Sequence, residues 1–237
     1  MFFLNRKRIY LIFSCLILST FVFQISGVKS QEIQETVALP ANNKTIIIDA
    51  GHRTERIGGA VADDGTKEAD INLKIALKVK SLLEQSGSKV ILTRSDENGI
   101  YDSDKKTLRQ KKVSDLKNRV KIGNESGADI FVSIHLNKIS QEKYWGWQTF
   151  FKSGNEDSKR LAESLQNSLN KTIQKENKRE ALKIDNVYIM KNVEIPTSIV
   201  ECGFLSNHDE LELLKTEEYQ DKLAWGIYVG IIDYFLE

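Results

Sequence analysis

Residues 45–52 have the sequence TIIIDAGH, in which a β-branched apolar run is followed at once by polar residues. A short run of this kind predicts a buried strand over Thr45 to Ile48. Three further runs predict strands in the same way, and they cover Lys89 to Leu92, Ile130 to Ile134 and Thr197 to Val200. Because these runs alternate with helical patterns, they indicate the buried strands of an α/β sheet.

Apolar residues at helical spacing occupy the segments between the strands. The clearest series stops at Gly87 and predicts a helix over roughly residues 69–86; it consists of Ile71, Ile75, Val79, Leu82 and Leu83. Similar series predict a helix that ends near Gly127, one through Leu161 to Ile173, and one from Glu217 to Phe235. The sequence therefore predicts an α/β fold: a single domain with a central, mostly parallel or mixed twisted sheet flanked by helices on both faces.

The N-terminus has the layout of an export signal. Arg6-Lys7-Arg8 precedes an apolar run from Ile9 to Phe23, and polar residues follow it. The pattern predicts a signal peptide or membrane anchor over residues 1–30, a linker over 31–43 and a folded domain over 44–237. Whether the segment is cleaved or retained stays open, because its length falls slightly short of a comfortable span of about 20 residues. We expect an exported protein that meets the membrane only through this segment.

The charge balance and the cysteine content argue against a nucleic-acid partner and against an internal disulfide. The chain has 34 Lys and Arg residues against 33 Asp and Glu residues. This balance argues against the broad basic surface of a nucleic-acid-binding protein. Of its two cysteines, Cys15 lies in the apolar N-terminal run and Cys202 in the predicted domain, so no internal disulfide is expected in the exported part.

Two of the three histidines are placed where an α/β sheet binds ligands. His52 follows the first predicted strand and His135 closes the third. The carboxyl ends of such strands line the binding crevice, and neutral imidazole is a preferred zinc ligand. Either histidine alone is as compatible with a structural role, but the pair favours a metal site.

Two glutamates can complete a hydrolytic centre. Glu68 lies beside the start of the first predicted helix, where a carboxylate is also favoured by the helix dipole. Two histidines and one glutamate are a common catalytic zinc set, which leaves a position open for water. Glu201 directly follows the fourth predicted strand and is the candidate group for taking a proton from that water. The alternative for Glu201 is a structural ion pair with Lys or Arg.

Several stretches together resemble the zinc-dependent N-acetylmuramoyl-L-alanine amidases of the Amidase_3 family. In chain order they are Ile48 to His52, Lys67-Glu68, Leu92 to Arg94, Leu116 to Arg119, Ser133 to Asn137 and Val200 to Asn207. The resemblance covers about residues 44–237. It implies that His52, Glu68 and His135 bind one zinc ion and that Glu201 is the catalytic carboxylate. The substrate would be the amide that joins the lactyl group of N-acetylmuramic acid to L-alanine in peptidoglycan.

Within this family the chain is most similar to the spore-cortex amidases of the CwlD type. The signs are a short chain with one N-terminal apolar segment, no wall-binding repeats, and the stretch from Gly146 to Phe151. This resemblance implies a role in muramic-δ-lactam formation in the spore cortex, and thus in sporulation and germination. It also implies action in the forespore intermembrane space and a possible lipoprotein activator.

One loop departs from the family pattern. Arg53 to Ile57 intervenes between the first histidine and Gly58-Gly59, where the family usually has a glycine-rich turn. Arg53, Glu55 and Arg56 either contact the substrate or a partner or are solvated, and we favour the solvated interpretation. The basic run from Lys105 to Lys112 is likewise expected to be a solvated loop, with acidic stem peptides or a membrane surface as the alternative.

Three other residues invite functional interpretations. Trp145 and Trp147 flank Gly146 and are expected to pack in the core at least as readily as on sugar rings. Cys202 is expected to be a buried core residue. The function classes that remain beside the amidase are an inactive module that binds peptidoglycan or a partner protein, and a zinc peptidase of the stem peptide.

Overall fold

The TIIIDAGH stretch forms β1 (Thr45–Ala50) in the computed structural model, which describes residues 39–53 and 59–236. The other strands are β2 (Lys89–Leu92), β3 (Ile130–Asn137), β4 (Gln148–Phe151), β5 (Leu182–Lys183) and β6 (Thr197–Phe204). They form one sheet in the order β2-β1-β3-β6-β4-β5. Neighbouring strands run parallel except for the antiparallel pair of β4 with β6. The predicted mixed sheet is confirmed.

Six helices are described in the same part of the chain. They are α1 (Glu68–Gln85), α2 (Leu108–Glu125), α3 (Glu156–Ile173), α4 (Tyr188–Asn192), α5 (His208–Leu214) and α6 (Glu217–Leu236). The four longest correspond to the four predicted helices. Helices α3 and α6 pack in close contact. A Cβ atom on Gly230 of α6 would lie only 2.7 Å from the Cα of Leu165 of α3, so this contact requires glycine at position 230. No helix within residues 39–53 and 59–236 is long and apolar enough to span a bilayer.

The strands bury their alternate residues on opposite faces of the sheet. Ile46 and Ile48 of β1 belong to the larger core together with residues of α1, α3 and α6, whereas Ile47 belongs to a smaller core. The smaller core includes Ile189 of α4 and is extended by Leu116 of α2. Helices therefore cover both faces, as predicted.

Two predicted strand ends were wrong, and both affect the site. His135 does not close β3 and Glu201 does not follow β6, because both residues lie inside longer strands. The strands continue because Leu136 and Cys202, the residues that follow, are buried in the larger core. His135 and Glu201 thus occupy paired positions on neighbouring strands, and the register of the pair shifts just beyond them. Such irregularities are common beside active sites.

The basic run is solvated as predicted, since Lys106, Arg109 and Lys112 are exposed, but part of it is helical rather than a loop. Helix α2 begins at Leu108 because Thr107 and Gln110 form a capping box, with the Gln110 backbone N–H 3.2 Å from Thr107 Oγ1. Strands β4 and β5 and helix α4 were not predicted, because segments of two to five residues carry little periodicity. The predicted N-terminal signal or anchor lies outside the described residues.

Candidate metal centre

The structure brings His52, Glu68 and His135 together at the carboxyl end of β1. One possible ligand atom from each of the three lies within 4.8 Å of the other two. Glu68 Oε1 lies 3.3 Å from His52 Nε2 and 3.1 Å from His135 Nδ1. Tetrahedral zinc with bonds of about 2.0–2.2 Å separates its ligand atoms by about 3.3 Å. The donor types and these two distances therefore fit a zinc ion.

The Glu68 carboxylate is held by the surrounding backbone. Glu68 is the first residue of α1, and its Oε2 accepts a hydrogen bond from the Ala60 N–H at 2.7 Å. Its Oε1 accepts from the Leu136 N–H at 3.1 Å and from the side chain of Asn72 at 3.3 Å. Asn72 also donates to the carbonyl of Gly51, which links the carboxylate to the turn that carries His52. The orientation of Glu68 is thus set before any metal binds.

Two buried arginines hold the turn that carries His52. Arg94 donates to the carbonyls of Ala50 and Gly51, and Arg119 donates to those of Ala50 and His52. His52 itself has a φ of 59°, a left-handed conformation that is uncommon outside glycine. A Cβ on Gly51 would lie 2.4 Å from the ring of His135, so this ring can lie against the backbone only because residue 51 is glycine. These contacts place the His52 ring edge-to-face with that of His135, at a centroid distance of 4.8 Å.

A hydrogen-bond relay defines the tautomer of His135. Asp49 and Ser133 are paired residues of β1 and β3, and Ser133 Oγ donates to Asp49 Oδ2 at 2.5 Å. Burial raises the pKa of Asp49, but Arg119 and the hydroxyls of Ser133 and Thr93 outweigh it and bring the pKa to about 2. An ionised Asp49 only accepts, so Ser133 Oγ in turn accepts from His135 Nε2, 3.0 Å away. Because Nε2 keeps its proton for Ser133, His135 Nδ1 is the nitrogen that faces Glu68 and the candidate metal position, and it is the nitrogen that must give up its proton when a metal binds.

His52 and Glu68 have the charge states that metal binding needs, whereas His135 must first lose a proton. Burial lowers the pKa of His135, but its hydrogen bond to Glu68 and the charges of Glu201, Glu68 and Asp49 outweigh burial and raise it. Burial and the positive charge of His135 lower the pKa of His52 to about 4. Burial raises the pKa of Glu68, but its hydrogen bond to His135 and the charges of both histidines bring it down to about 2. A neutral imidazole and an ionised carboxylate are the forms in which these residues bind metals.

Glu201 lies beside this cluster on β6, where it pairs with His135 of β3 and Gln148 of β4. The residue is partly exposed, but its Oε2 is enclosed and has no hydrogen-bond partner in the described part of the chain. Burial raises the pKa of Glu201 to about 7; the charge of His135 opposes this shift and that of Glu68 adds to it. No ion pair to Lys or Arg is found for it among residues 39–53 and 59–236, so a structural ion pair does not account for it.

The other singled-out residues lie as follows. The predicted solvated state of Arg53 is wrong, because the side chain is buried with its guanidinium 4.6 Å from the centroid of the Tyr101 ring. Glu55 and Arg56 lie outside the described residues. Trp147 and Cys202 are fully buried, as predicted for core residues.

Sequence reasoning missed the residues that support the site. Asp49, Arg94, Arg119, Ser133 and Asn72 all contact the ligand-bearing segments. One available signal was the spacing of Asp115 and Arg119, which are one helical turn apart and form an ion pair at 2.8 Å. A second signal was the alternation in Ser133-Ile134-His135, which places Ser133 and His135 on one face of the sheet.

The fold and site define an α/β protein with a candidate metal-dependent hydrolytic centre. The sequence profile of the N-acetylmuramoyl-L-alanine amidase family matches residues 46–233. The chain belongs to this family.

Curated relatives and solved structures agree with the family assignment. The chain is 37% identical over 200 residues to the germination-specific N-acetylmuramoyl-L-alanine amidase of Bacillus subtilis, covering 84% of this chain and 83% of that protein. It is similar to the CwlD amidase from Clostridioides difficile, solved in complex with the GerS lipoprotein, with a TM-score of 0.78 and 48% identity over 81% of this chain and 98% of that one. An N-acetylmuramoyl-L-alanine amidase from Clostridium difficile 630 matches with a TM-score of 0.69 and 31% identity, over 81% and 97% of the two chains.

Proposed function

We propose that this chain is a zinc-dependent amidase that cleaves the bond between the lactyl group of N-acetylmuramic acid and L-alanine in peptidoglycan. His52, Glu68 and His135 would hold one zinc ion. The observation that carries the proposal is the meeting of these three side chains beside Glu201, whose enclosed Oε2 has no partner among the described residues. Three protein ligands leave one tetrahedral position open, which is typical of catalytic rather than structural zinc sites.

The chain's own residues orient the reaction and move the proton. Zinc bound here would supply Lewis acidity, which polarises a carbonyl and makes water easier to deprotonate. Glu201 takes the proton that the attacking water loses and passes it to the leaving nitrogen of L-alanine. The carbonyl carbon gains the water oxygen and its C–N bond breaks. The products are the lactyl carboxylate on the glycan and a stem peptide with a free amine.

Product analysis tests the bond that is cut. We expect mass spectrometry of peptidoglycan digested by the zinc-loaded chain to show peptide-free muramic acid and intact stem peptides that begin with L-alanine. Chelation of zinc should remove this product, and added zinc should restore it, because the metal is needed to activate water. Shortened peptides on intact muramoyl residues would instead identify a stem-peptide peptidase. Binding of peptidoglycan with no new product would identify a binding module.

The relay behind His135 should control zinc affinity. Ser133→Ala removes the acceptor for His135 Nε2, so the ring loses its fixed tautomer and orientation, and we expect zinc affinity to fall roughly 10- to 100-fold. Competition with a chelating indicator dye measures this affinity directly. Ser198→Ala is a matched control, because Ser198 is a buried serine of the adjacent strand whose hydroxyl donates to the carbonyl of Phe150 instead. Unchanged zinc affinity in Ser133→Ala would show that the relay has no effect on the metal.

The relatives support a spore-cortex role and export. One relative is named for germination, and the solved CwlD amidase is a complex with a lipoprotein. We therefore infer that this chain acts outside the cytoplasmic membrane, on the route to muramic-δ-lactam in the spore cortex, and that a lipoprotein assists it. Deletion of its gene should yield spores whose cortex lacks muramic-δ-lactam, as measured by muropeptide analysis.

A further inference from the structure

Arg53 is a buried cation directly after the candidate ligand His52. The residue is 3% exposed, and its terminal nitrogens Nη1 and Nη2 are enclosed. Within residues 39–53 and 59–236 neither nitrogen has a hydrogen-bond partner. Burying a guanidinium without hydrogen bonds is unfavourable, so the described contacts alone give no reason for an arginine at this position.

Arg53 lies near a second cation and near two carboxylates that already have partners. Its Cζ lies 4.6 Å from the centroid of the Tyr101 ring, and Lys111 Nζ lies 4.6 Å from the same centroid. Two carboxylates lie nearby, those of Asp49 and Asp115, and both form ion pairs with Arg119. Both oxygens of Asp115 are engaged in hydrogen bonds. Oδ1 accepts from the Ile100 N–H at 2.8 Å, and Oδ2 accepts from Arg119 Nε at 2.8 Å. Neither carboxylate is therefore free to pair with the Arg53 guanidinium, which has no anionic partner in the described part of the chain.

A cavity of about 130 Å³ joins Arg53 to the candidate metal centre. His52 and His135 line it on the side of the metal centre. The other charged residues of its lining are Arg53, Lys112, Arg119, Asp49 and Asp115. Apolar walls come from α4 and β6, including Ile189. A water molecule occupies about 30 Å³ in the liquid, so the cavity has room for a small charged group. We refer to this space as the Arg53 cavity.

We propose that the Arg53 cavity binds a carboxylate of the stem peptide, next to the bond that is cut. This inference rests on the amidase function proposed above. A guanidinium forms two parallel N–H bonds to a carboxylate, which would satisfy both orphaned nitrogens at once. The anion belongs to the peptide rather than to the glycan, because the lactyl carboxyl of muramic acid is consumed in the scissile amide. Arg53 thus favours substrates that carry a free carboxylate close to the L-alanine.

Paired substrates test the Arg53 cavity. One substrate is N-acetylmuramic acid linked to a dipeptide in which L-alanine comes first and the second residue has a free carboxylate. In the other substrate this carboxylate is converted to a primary amide. We expect the zinc-loaded wild type to prefer the acid in kcat/KM, and the preference to fall roughly 10- to 100-fold in Arg53→Met. Arg53→Lys should recover only part of it, since an ammonium lacks the planar fork. Arg160→Met is the matched control, because Arg160 also packs over a tyrosine ring, that of Tyr234 at 4.1 Å, yet does not line the cavity.

Two further measurements separate the failure of this inference from failure of the amidase proposal. Calorimetric titration of the metal-free full chain with the released dipeptide, as acid and as amide, reports carboxylate binding without any hydrolysis. The unfolding midpoint of Arg53→Met should equal or exceed that of the wild type, because an unpaired buried charge is removed. A wild type that cleaves and binds acid and amide equally overturns the carboxylate site while the amidase stands. A wild type that cleaves neither but binds the acid through Arg53 overturns the amidase instead.

Discussion

Replacing Glu201 by glutamine is expected to lower the rate of amide hydrolysis by about 10²- to 10⁴-fold while zinc affinity and stability are retained. Glutamine has the size of glutamate but cannot accept and return a proton. Glu201 Oε2 is enclosed and without a partner in the described chain, so the substitution breaks no hydrogen bond there. The measurements are kcat on a muramoyl-peptide substrate at saturating zinc, zinc affinity by dye competition, and the urea midpoint.

Glu210 provides a matched control for Glu201, since it is also a buried glutamate close to β6. Its two oxygens accept from the backbone N–H groups of Gly146 and Phe204, both at 2.8 Å. Glu210→Gln should therefore lower stability, because one of these donors loses its acceptor, while the folded protein still hydrolyses substrate. If Glu201→Gln retains most of the wild-type kcat, Glu201 is not the proton carrier and the proposed mechanism is wrong.

The residues of the candidate metal centre were predictable because local rules place them. An apolar β-branched run marks a strand, and the crevice of an α/β sheet lies at the carboxyl ends of its strands. His52 and His135 were found by that rule, and Glu68 by its position beside a helix start. The same rule misjudged the ends of β3 and β6. His135 and Glu201 interrupt the apolar runs, so each run ends one residue before them although the strands continue to Asn137 and Phe204.

The supporting residues were not predictable because their partners are far away in the chain. Arg119 contacts Asp49 across 70 positions, and Ser133 contacts Asp49 across 84. Arg53 was assigned to a solvated loop because arginine is usually exposed, whereas its burial depends on Tyr101 and on the cavity formed with α4. A charged side chain can be buried when residues distant in the sequence supply its ion-pair, hydrogen-bond or aromatic partners. The pattern of a single sequence does not identify those partners.

Replacing Arg119 by methionine is expected to destabilise the folded chain by about 3–5 kcal/mol. Arg119 is 2% exposed and forms ion pairs with Asp49 and Asp115, both of which are buried. It also donates to the carbonyls of Ala50 and His52. Methionine fills a similar volume but leaves two buried carboxylates without their cation and two carbonyls without their donor. Urea unfolding at neutral pH measures the loss.

A variant of Lys78 tests whether the loss of stability in Arg119→Met comes from the burial of the ion pairs rather than from charge pairing itself. Lys78 also pairs with two carboxylates, those of Glu217 and Asp221, but both of these are largely exposed. Lys78→Met should therefore change the urea midpoint far less than Arg119→Met, because water replaces the lost partner at the surface. The double variant Asp49→Asn with Arg119→Met should recover part of the lost stability, since it removes one of the stranded charges. Equal losses of stability for Lys78→Met and Arg119→Met would contradict the role given to the buried ion pairs of Arg119 with Asp49 and Asp115. Other contacts would then have to hold the turn that carries His52.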